Sequence, residues 1–229
     1  MINKIKIQNQ LRKEERNKYN KYYFQNEYWK EDLPGKVGNN YLSYDDYTHK
    51  KRFTFLTSLL KKYFKFEIFV DAGCGIGILS GILEGDKINC FSFDVSKDAF
   101  QVNNIYRSDK IVVASLEKIP FKSNIADLVF CSDVLEHIPF FDIESSIFEL
   151  VRISKKYIVL TVNFDNPYKY HPTILSRETW VTLLLSTGQL KNDKETELKI
   201  NKECKKHYPE YDLFVFEKIE LNRIEDDND

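Results

Sequence analysis

The stretch Ile68-Phe69-Val70-Asp71-Ala72-Gly73-Cys74-Gly75-Ile76-Gly77, running on into Ile78-Leu79-Ser80, restricts the fold of this chain more than any other. Its leading apolar residues suit a central parallel strand covered on both faces. The alternate glycines at 73, 75 and 77 let the backbone turn sharply and approach a ligand with no Cβ in the way. A helix starting behind them would aim unpaired N–H groups and its positive dipole end at the same place. Strand, glycine turn and helix in that order predict an α/β domain with its ligand crevice at the carboxyl edge of the sheet. The pattern is D-x-G-x-G-x-G, not the G-x-G-x-x-G that cradles a pyrophosphate. Asp71 at the strand end would repel a pyrophosphate and suits a ligand carrying a positive group.

The next strand, Ile88–Phe93, is expected to end at Asp94, 21 residues after Gly73. A carboxylate there can grip the ribose diol of a nucleoside by paired hydrogen bonds, with Val95 packed on the base. Lys110–Ala114 reads as a third strand, followed by Ser115-Leu116-Glu117-Lys118-Ile119-Pro120-Phe121. A fourth strand over 127–131 would deliver Cys131, Ser132 and Asp133 to the carboxyl edge. Asp133-Val134-Leu135-Glu136-His137-Ile138-Pro139 then opens the next segment at the mouth of the site.

In order and spacing, these four features resemble the class I S-adenosylmethionine (SAM) dependent methyltransferases. The glycine turn is similar to their motif I and 115–121 to their D-x-E-x-L-P-F stretch. The 127–138 block resembles the D-x-V-x-x-x-x-V-L-E-H-I pattern of the small-molecule methyltransferases. The resemblance covers residues 50–220. It implies a Rossmann-like fold: a mostly parallel seven-stranded sheet with an antiparallel C-terminal hairpin, helices on both faces and an N-terminal helical lid. It implies SAM as methyl donor and S-adenosylhomocysteine as product. The donor's amino-acid end would lie at Asp71, Gly73, Cys74, Gly75 and Gly77, its ribose at Asp94, and its adenine near Val95, Ser115, Leu116 and Glu117, with Cys131 and Ser132 also at the donor site. Ser115 stands where the family carries Asp, which leaves the backbone N–H of Leu116 to make the adenine contact.

Residues 1–48 read as a lid segment, charged and amphipathic over 1–30 and then broken by the turn signals Leu33-Pro34-Gly35 and Gly38-Asn39-Asn40. The rings of Tyr28, Trp29, Tyr41, Tyr44 and Tyr47 either pack on the domain or line the acceptor pocket. The methyltransferase domain is expected over 49–221, with an acidic tail over 222–229. Within the domain, apolar spacing predicts helices over His49–Tyr63 and Ile143–Ile153, and a fifth strand over Tyr157–Val162. Ser176 should cap a helix that ends near Gly188. Two final strands, Glu195–Ile200 and Asp212–Ile219, are expected to form the hairpin through a turn at Pro209.

Lys and Arg number 34 against 35 Asp and Glu, a net charge of −1. That balance offers no global attraction to a nucleic-acid backbone, so nucleic acid is not the expected partner; a homodimer is compatible with it. The four cysteines form no C-x-x-C pair and read as reduced thiols of a cytoplasmic protein. No signal core or run of about 18 apolar residues occurs, so no membrane insertion is expected.

Methyl transfer from a sulfonium is an in-line displacement, and an acceptor hydroxyl needs a base as it attacks. His137 and His171 are the candidates, because imidazole titrates near neutral pH. Asp133, Glu136, His137 and His171 also resemble the E-x-x-E-H…H set that binds a divalent metal in small-RNA 2′-O-methyltransferases. Ser176-Arg177-Glu178-Thr179-Trp180 is similar to the helix start that follows it there. Asp133 is shorter than the Glu of that pattern, and no metal is the leading expectation. The expected function is methylation of a hydroxyl, or an amine, on a small molecule or glycan. The alternatives are a metal-assisted RNA 2′-O-methyltransferase and a SAM-binding partner subunit without turnover.

Overall fold

The computed structural model describes residues 2–20, 47–102, 110–164 and 171–219. The expectations placed on Tyr28, Trp29, Tyr41 and Tyr44, on the Tyr47 side chain and on the acidic tail over 222–229 lie outside the described residues. A first helix α1 (Ile2–Lys18) precedes α2 (Tyr47–Tyr63), which leads into β1 (Ile68–Ala72). Then follow α3 (Ile78–Gly85), β2 (Asn89–Asp94), α4 (Ala99–Val102), β3 (Ile111–Val113) and β4 (Ala126–Ser132). After β4 come a short 3₁₀ turn at Leu135–His137, α5 (Phe140–Ile153) and β5 (Ser154–Thr161). The chain closes with α6 (Arg177–Leu185), β6 (Leu190–Asn192), α7 (Lys194–Cys204) and β7 (Leu213–Lys218).

The seven strands form one sheet in the order β3-β2-β1-β4-β5-β7-β6. Pairing is parallel from β3 through β5 and antiparallel at β7 and β6. The chain builds outward from β1 to β3, then returns to lay β4 on the other side of β1. That reversal opens a crevice at the carboxyl ends of β1 and β4, where ligands bind in doubly wound sheets. The central strands are buried on both faces, as their unbroken apolar runs require. One face packs Ile143, Ile147 and Leu150 of α5 and Trp180 and Leu184 of α6. The other packs Leu56 and Leu60 of α2, Leu83 of α3 and Ile200 and Cys204 of α7. No helix among the described residues is long and apolar enough to cross a membrane.

One expected element changes identity. Glu195–Ile200 is helical, inside α7, and the edge strand is the shorter Leu190–Asn192 before it. Asp193 explains the switch: its carboxylate accepts the Thr196 amide at 3.1 Å as an N-cap, with Glu195 and Glu197 in the first turn. Ile200 and Cys204, four apart, then share the buried side, whereas Leu198 is 72% exposed. The antiparallel pair β6–β7 therefore exists, joined by a helix rather than by a turn at Pro209. The capped helix from Ser176 stands as expected, with Ser176 Oγ accepting the Thr179 amide and Gly188 beyond its end at φ +68°.

Candidate active site

The glycine turn holds the crevice in shape. Gly73, Gly75 and Gly77 all adopt positive φ (76°, 54° and 80°). The Gly73 and Cys74 amides both donate to the Phe93 carbonyl, at 2.9 and 3.0 Å, which ties the turn to the end of β2. A Cβ on Gly73 would sit 2.4 Å from Val134 Cγ2, so no other residue fits there.

Asp71 ends up 5% exposed under this turn, and its Oδ2 is buried without a hydrogen-bond partner. Burial pushes its carboxyl up to about 7; the nearby Asp94 adds to the rise, and the Ser80 amide and hydroxyl oppose it. An unpaired carboxylate oxygen in such a place is costly to keep unless a ligand completes it. Asp94 is raised too, first by burial, against its backbone hydrogen bonds. Its Oδ2 accepts the Gly75 amide at 2.9 Å and its Oδ1 the Ser96 amide at 2.8 Å. Each oxygen keeps a second lone pair, so the carboxylate is held in place while still able to accept two hydroxyls.

Asp71, Gly73, Cys74, Gly75, Asp94, Val95, Ser115, Leu116, Glu117, Ser132, Asp133 and His137 line one cavity. Gly77 serves instead as the left-handed start of α3. Cys131 is wholly buried in the core on β4, where burial raises its thiol well above the usual value.

His137 lies at the end of the 3₁₀ turn. Its Nδ1 is 3.0 Å from the hydroxyl of Tyr19, and its ring meets that of His171 edge-on with centroids 4.5 Å apart. Glu136 behind it is fully buried. Its Oε1 accepts the Asn163 amide at 3.0 Å and its Oε2 has no partner. Burial, then the Asp133 charge, lifts its carboxyl well above the ordinary range. One ligand atom each of Glu136, His137 and His171 lies within 4.8 Å of the others, a separation three donors could close around a metal ion. Asp133 takes another direction. Its backbone is at φ +54°, its Oδ1 accepts from Thr161 Oγ1 at 2.8 Å and its Oδ2 from Tyr211 at 3.3 Å. Arg177 has a structural task, bridging Asp212 and Glu197 at 2.6 Å each.

Sequence reasoning expected a lid over 1–48 but did not name the residues that roof the site. Arg12, Glu15, Arg16 and Tyr19 of the α1 segment, together with Arg52 and Phe53 of α2, complete the cavity wall. Arg12 clamps the buried Asp142 through two bonds of 2.8 and 2.5 Å, Arg16 pairs with Glu117, and Ser96 Oγ donates to the Tyr19 carbonyl. These partners are 77 to 130 residues apart in sequence, and no local pattern announces them.

Comparison with known proteins agrees with this geometry. Residues 70–159 match the family described as "Methyltransferase domain". An uncharacterized protein of Methanocaldococcus jannaschii is 29% identical over 116 residues, half of this chain; the chain spans about half the length of that relative. In structure, the PH0226 protein of Pyrococcus horikoshii OT3 superposes with a TM-score of 0.60 at 16% identity, over 80% of this chain and 97% of its own. The N-methyltransferase NodS of Bradyrhizobium japonicum WM9, in complex with S-adenosylhomocysteine, gives 0.57 at 16% identity over 88% and 100%. The matched stretch contains the glycine turn, Asp94 and the Asp133–His137 shelf, so residues 70–159 are similar to a methyltransferase domain, and the fold around them is the one these methyltransferase structures share.

Proposed function

We propose that the chain methylates a hydroxyl of a small molecule or glycan, with an amine as the less favoured acceptor, and that His137 takes the acceptor's proton. Bound in the crevice, SAM would supply a methyl group on a positively charged sulfur. The unpartnered Asp71 carboxylate suits the donor's ammonium, and the fixed Asp94 suits its ribose diol. The observation that carries the reading is His137 itself. It lines the same cavity, and Tyr19 and His171 hold its ring from two sides. As the acceptor oxygen attacks the methyl carbon, its proton passes to the imidazole, and the carbon–sulfur bond breaks with its electron pair left on sulfur. Residues of α1 line the cavity over this exchange. The direct test incubates the protein with SAM and a panel of phenolic, sugar and amine acceptors and follows the methylated product. Methylation of amines alone would remove the need for a base.

The convergence of Glu136, His137 and His171 favours one second reading, in which a divalent metal orients the acceptor hydroxyl and makes it more acidic. Glu136→Gln keeps the shape and removes one ligand oxygen. Under the metal reading, Mn²⁺ restores turnover to a chelator-treated wild type and fails to do so in E136Q. Under the base reading, the chelator changes nothing.

Donor affinity should depend on pH through Asp71. Its carboxyl holds a proton up to about pH 7 in the empty fold, against about 4 when unfolded. Without ligand, the fold therefore loses stability as pH rises between those values. A ligand ammonium needs the carboxylate form, so binding expels the proton below pH 7. Titration calorimetry should show S-adenosylhomocysteine binding about tenfold tighter at pH 8 than at pH 6, with proton release at the lower pH. A flat profile would separate Asp71 from the ammonium.

A further inference from the structure

The parallel topology that gathers strand ends at the crevice also gathers strand beginnings at the opposite edge of the sheet. There β1, β4 and β5 lie side by side, and each is entered through lysine. Lys65 comes just before β1, Lys122 just before β4, and Lys155 and Lys156 lie at the start of β5. Neighbouring strands are about 4.8 Å apart, so these residues are brought together. With Lys61 of α2 they line one groove. A bulge sharpens the convergence. Ala126 pairs with Ser154 and Leu128 with Tyr157, so Asp127 alone faces Lys155 and Lys156, and both lysines stay exposed.

Five lysines thus meet two carboxylates, Glu67 and Asp127, in a chain whose overall charge is −1. Asp127 is already engaged: its Oδ2 accepts the Glu67 and Ile68 amides at 3.0 and 3.1 Å, and its Oδ1 lies 3.7 Å from Lys155 Nζ. Lys61 pairs with Asp86. Lys65, Lys122 and Lys156 form no ion pair among the described residues. Like charges gathered on one concave surface raise the local potential, and a polyanion relieves it. Among the described residues no arginine lines the groove. It therefore lacks the planar fork that matches a carboxylate, whereas lysine serves a phosphate as a point charge. That chemistry favours a phosphodiester backbone over an acidic peptide. We propose that this groove docks a nucleic-acid strand through its phosphates. The seven residues of β4, about 20 Å of strand, separate it from the Asp133–His137 shelf. Docking there is independent of donor binding and tethers the protein without placing a base at His137.

Fluorescence anisotropy with a labelled single-stranded RNA of about 20 nucleotides tests it, with a poly-glutamate peptide as competitor. The wild type should bind with a Kd of about 10⁻⁶ to 10⁻⁴ M near physiological salt. With three or four phosphates neutralised, a rise from about 50 to about 200 mM salt should weaken binding about 20- to 50-fold. Changing Lys65, Lys122 and Lys156 together to Gln should weaken binding at least about tenfold and make the salt slope shallower by about 2. These are exposed positions, so Tm should stay within about 2 °C. K122Q and K156Q alone should each reduce the slope by about 0.7, which keeps the test open if the triple variant folds poorly. The control changes Lys4, Lys6 and Lys13 of α1 together to Gln, the same loss of charge far from the groove, and should bind RNA within about twofold of wild type. No RNA binding by the wild type, or equal losses in the groove and control variants, would overturn the proposal. Poly-glutamate that binds as tightly as the RNA would assign the groove to an acidic protein and overturn it as well.

Discussion

Replacing His137 with glutamine should lower kcat toward a hydroxyl acceptor by about 10²- to 10⁴-fold, the range that a positioned general base contributes. The side chain is half-buried on a 3₁₀ turn, so glutamine keeps polarity and approximate reach while losing a site that titrates near neutral pH. Donor affinity should stay within about threefold, because the residues proposed to hold the donor are Asp71, the glycine turn and Asp94. The acidic limb of the wild-type pH–rate profile, where the imidazole becomes protonated, should flatten in the variant. Tyr19→Phe removes the hydroxyl 3.0 Å from Nδ1 but leaves the imidazole, and should cost less. Retention of kcat within about fivefold in H137Q would move proton acceptance elsewhere and leave the Tyr19–His137–His171 cluster with a packing task.

How much of this could be read beforehand depended on whether the cause was local. The glycine turn, Asp94 and the Asp133–His137 block occupy the positions expected because each lies at the end of a mostly apolar strand. Strand ends of a parallel sheet converge by topology alone. The C-terminal misreading came from Glu195–Ile200, where alternating polar and apolar residues imitate a period of two. The cap at Asp193 and the burial of Ile200 and Cys204 settle the segment as a helix. Arg52 has no local signal: it follows Lys50 and Lys51 on α2, and the cavity wall it joins is assembled only by the fold, beside Tyr211 far along the chain. Asp133 shows the converse: its place was legible and its direction was not, because the side chain is claimed by Thr161 from the neighbouring strand.

The glycine turn carries the second large expectation, that Gly73→Ala should impair both stability and donor binding. At φ +76° an alanine costs about 1–2 kcal/mol from its own backbone. The new methyl would also lie 2.4, 3.0 and 3.3 Å from Cγ2, Cγ1 and Cβ of Val134. A β-branched side chain cannot swing aside as a long flexible one could, and overpacking of this kind costs about 1–3 kcal/mol more. A total of about 2–5 kcal/mol should lower Tm by roughly 5–15 °C for a domain of this size. Neither neighbour yields easily. The Gly73 amide is tied to Phe93, and Val134 follows Asp133, whose left-handed backbone is bonded to Thr161. The displacement should therefore pass to Leu135–His137, and S-adenosylhomocysteine should bind at least about tenfold more weakly. Adding Val134→Ala to G73A should recover the packing share and not the backbone share. The double-mutant cycle would then show a favourable coupling of about 1 kcal/mol or more. Additive effects, or a G73A protein that melts and binds like the wild type, would mean that the turn tolerates a side chain and is not shaped by contact with Val134.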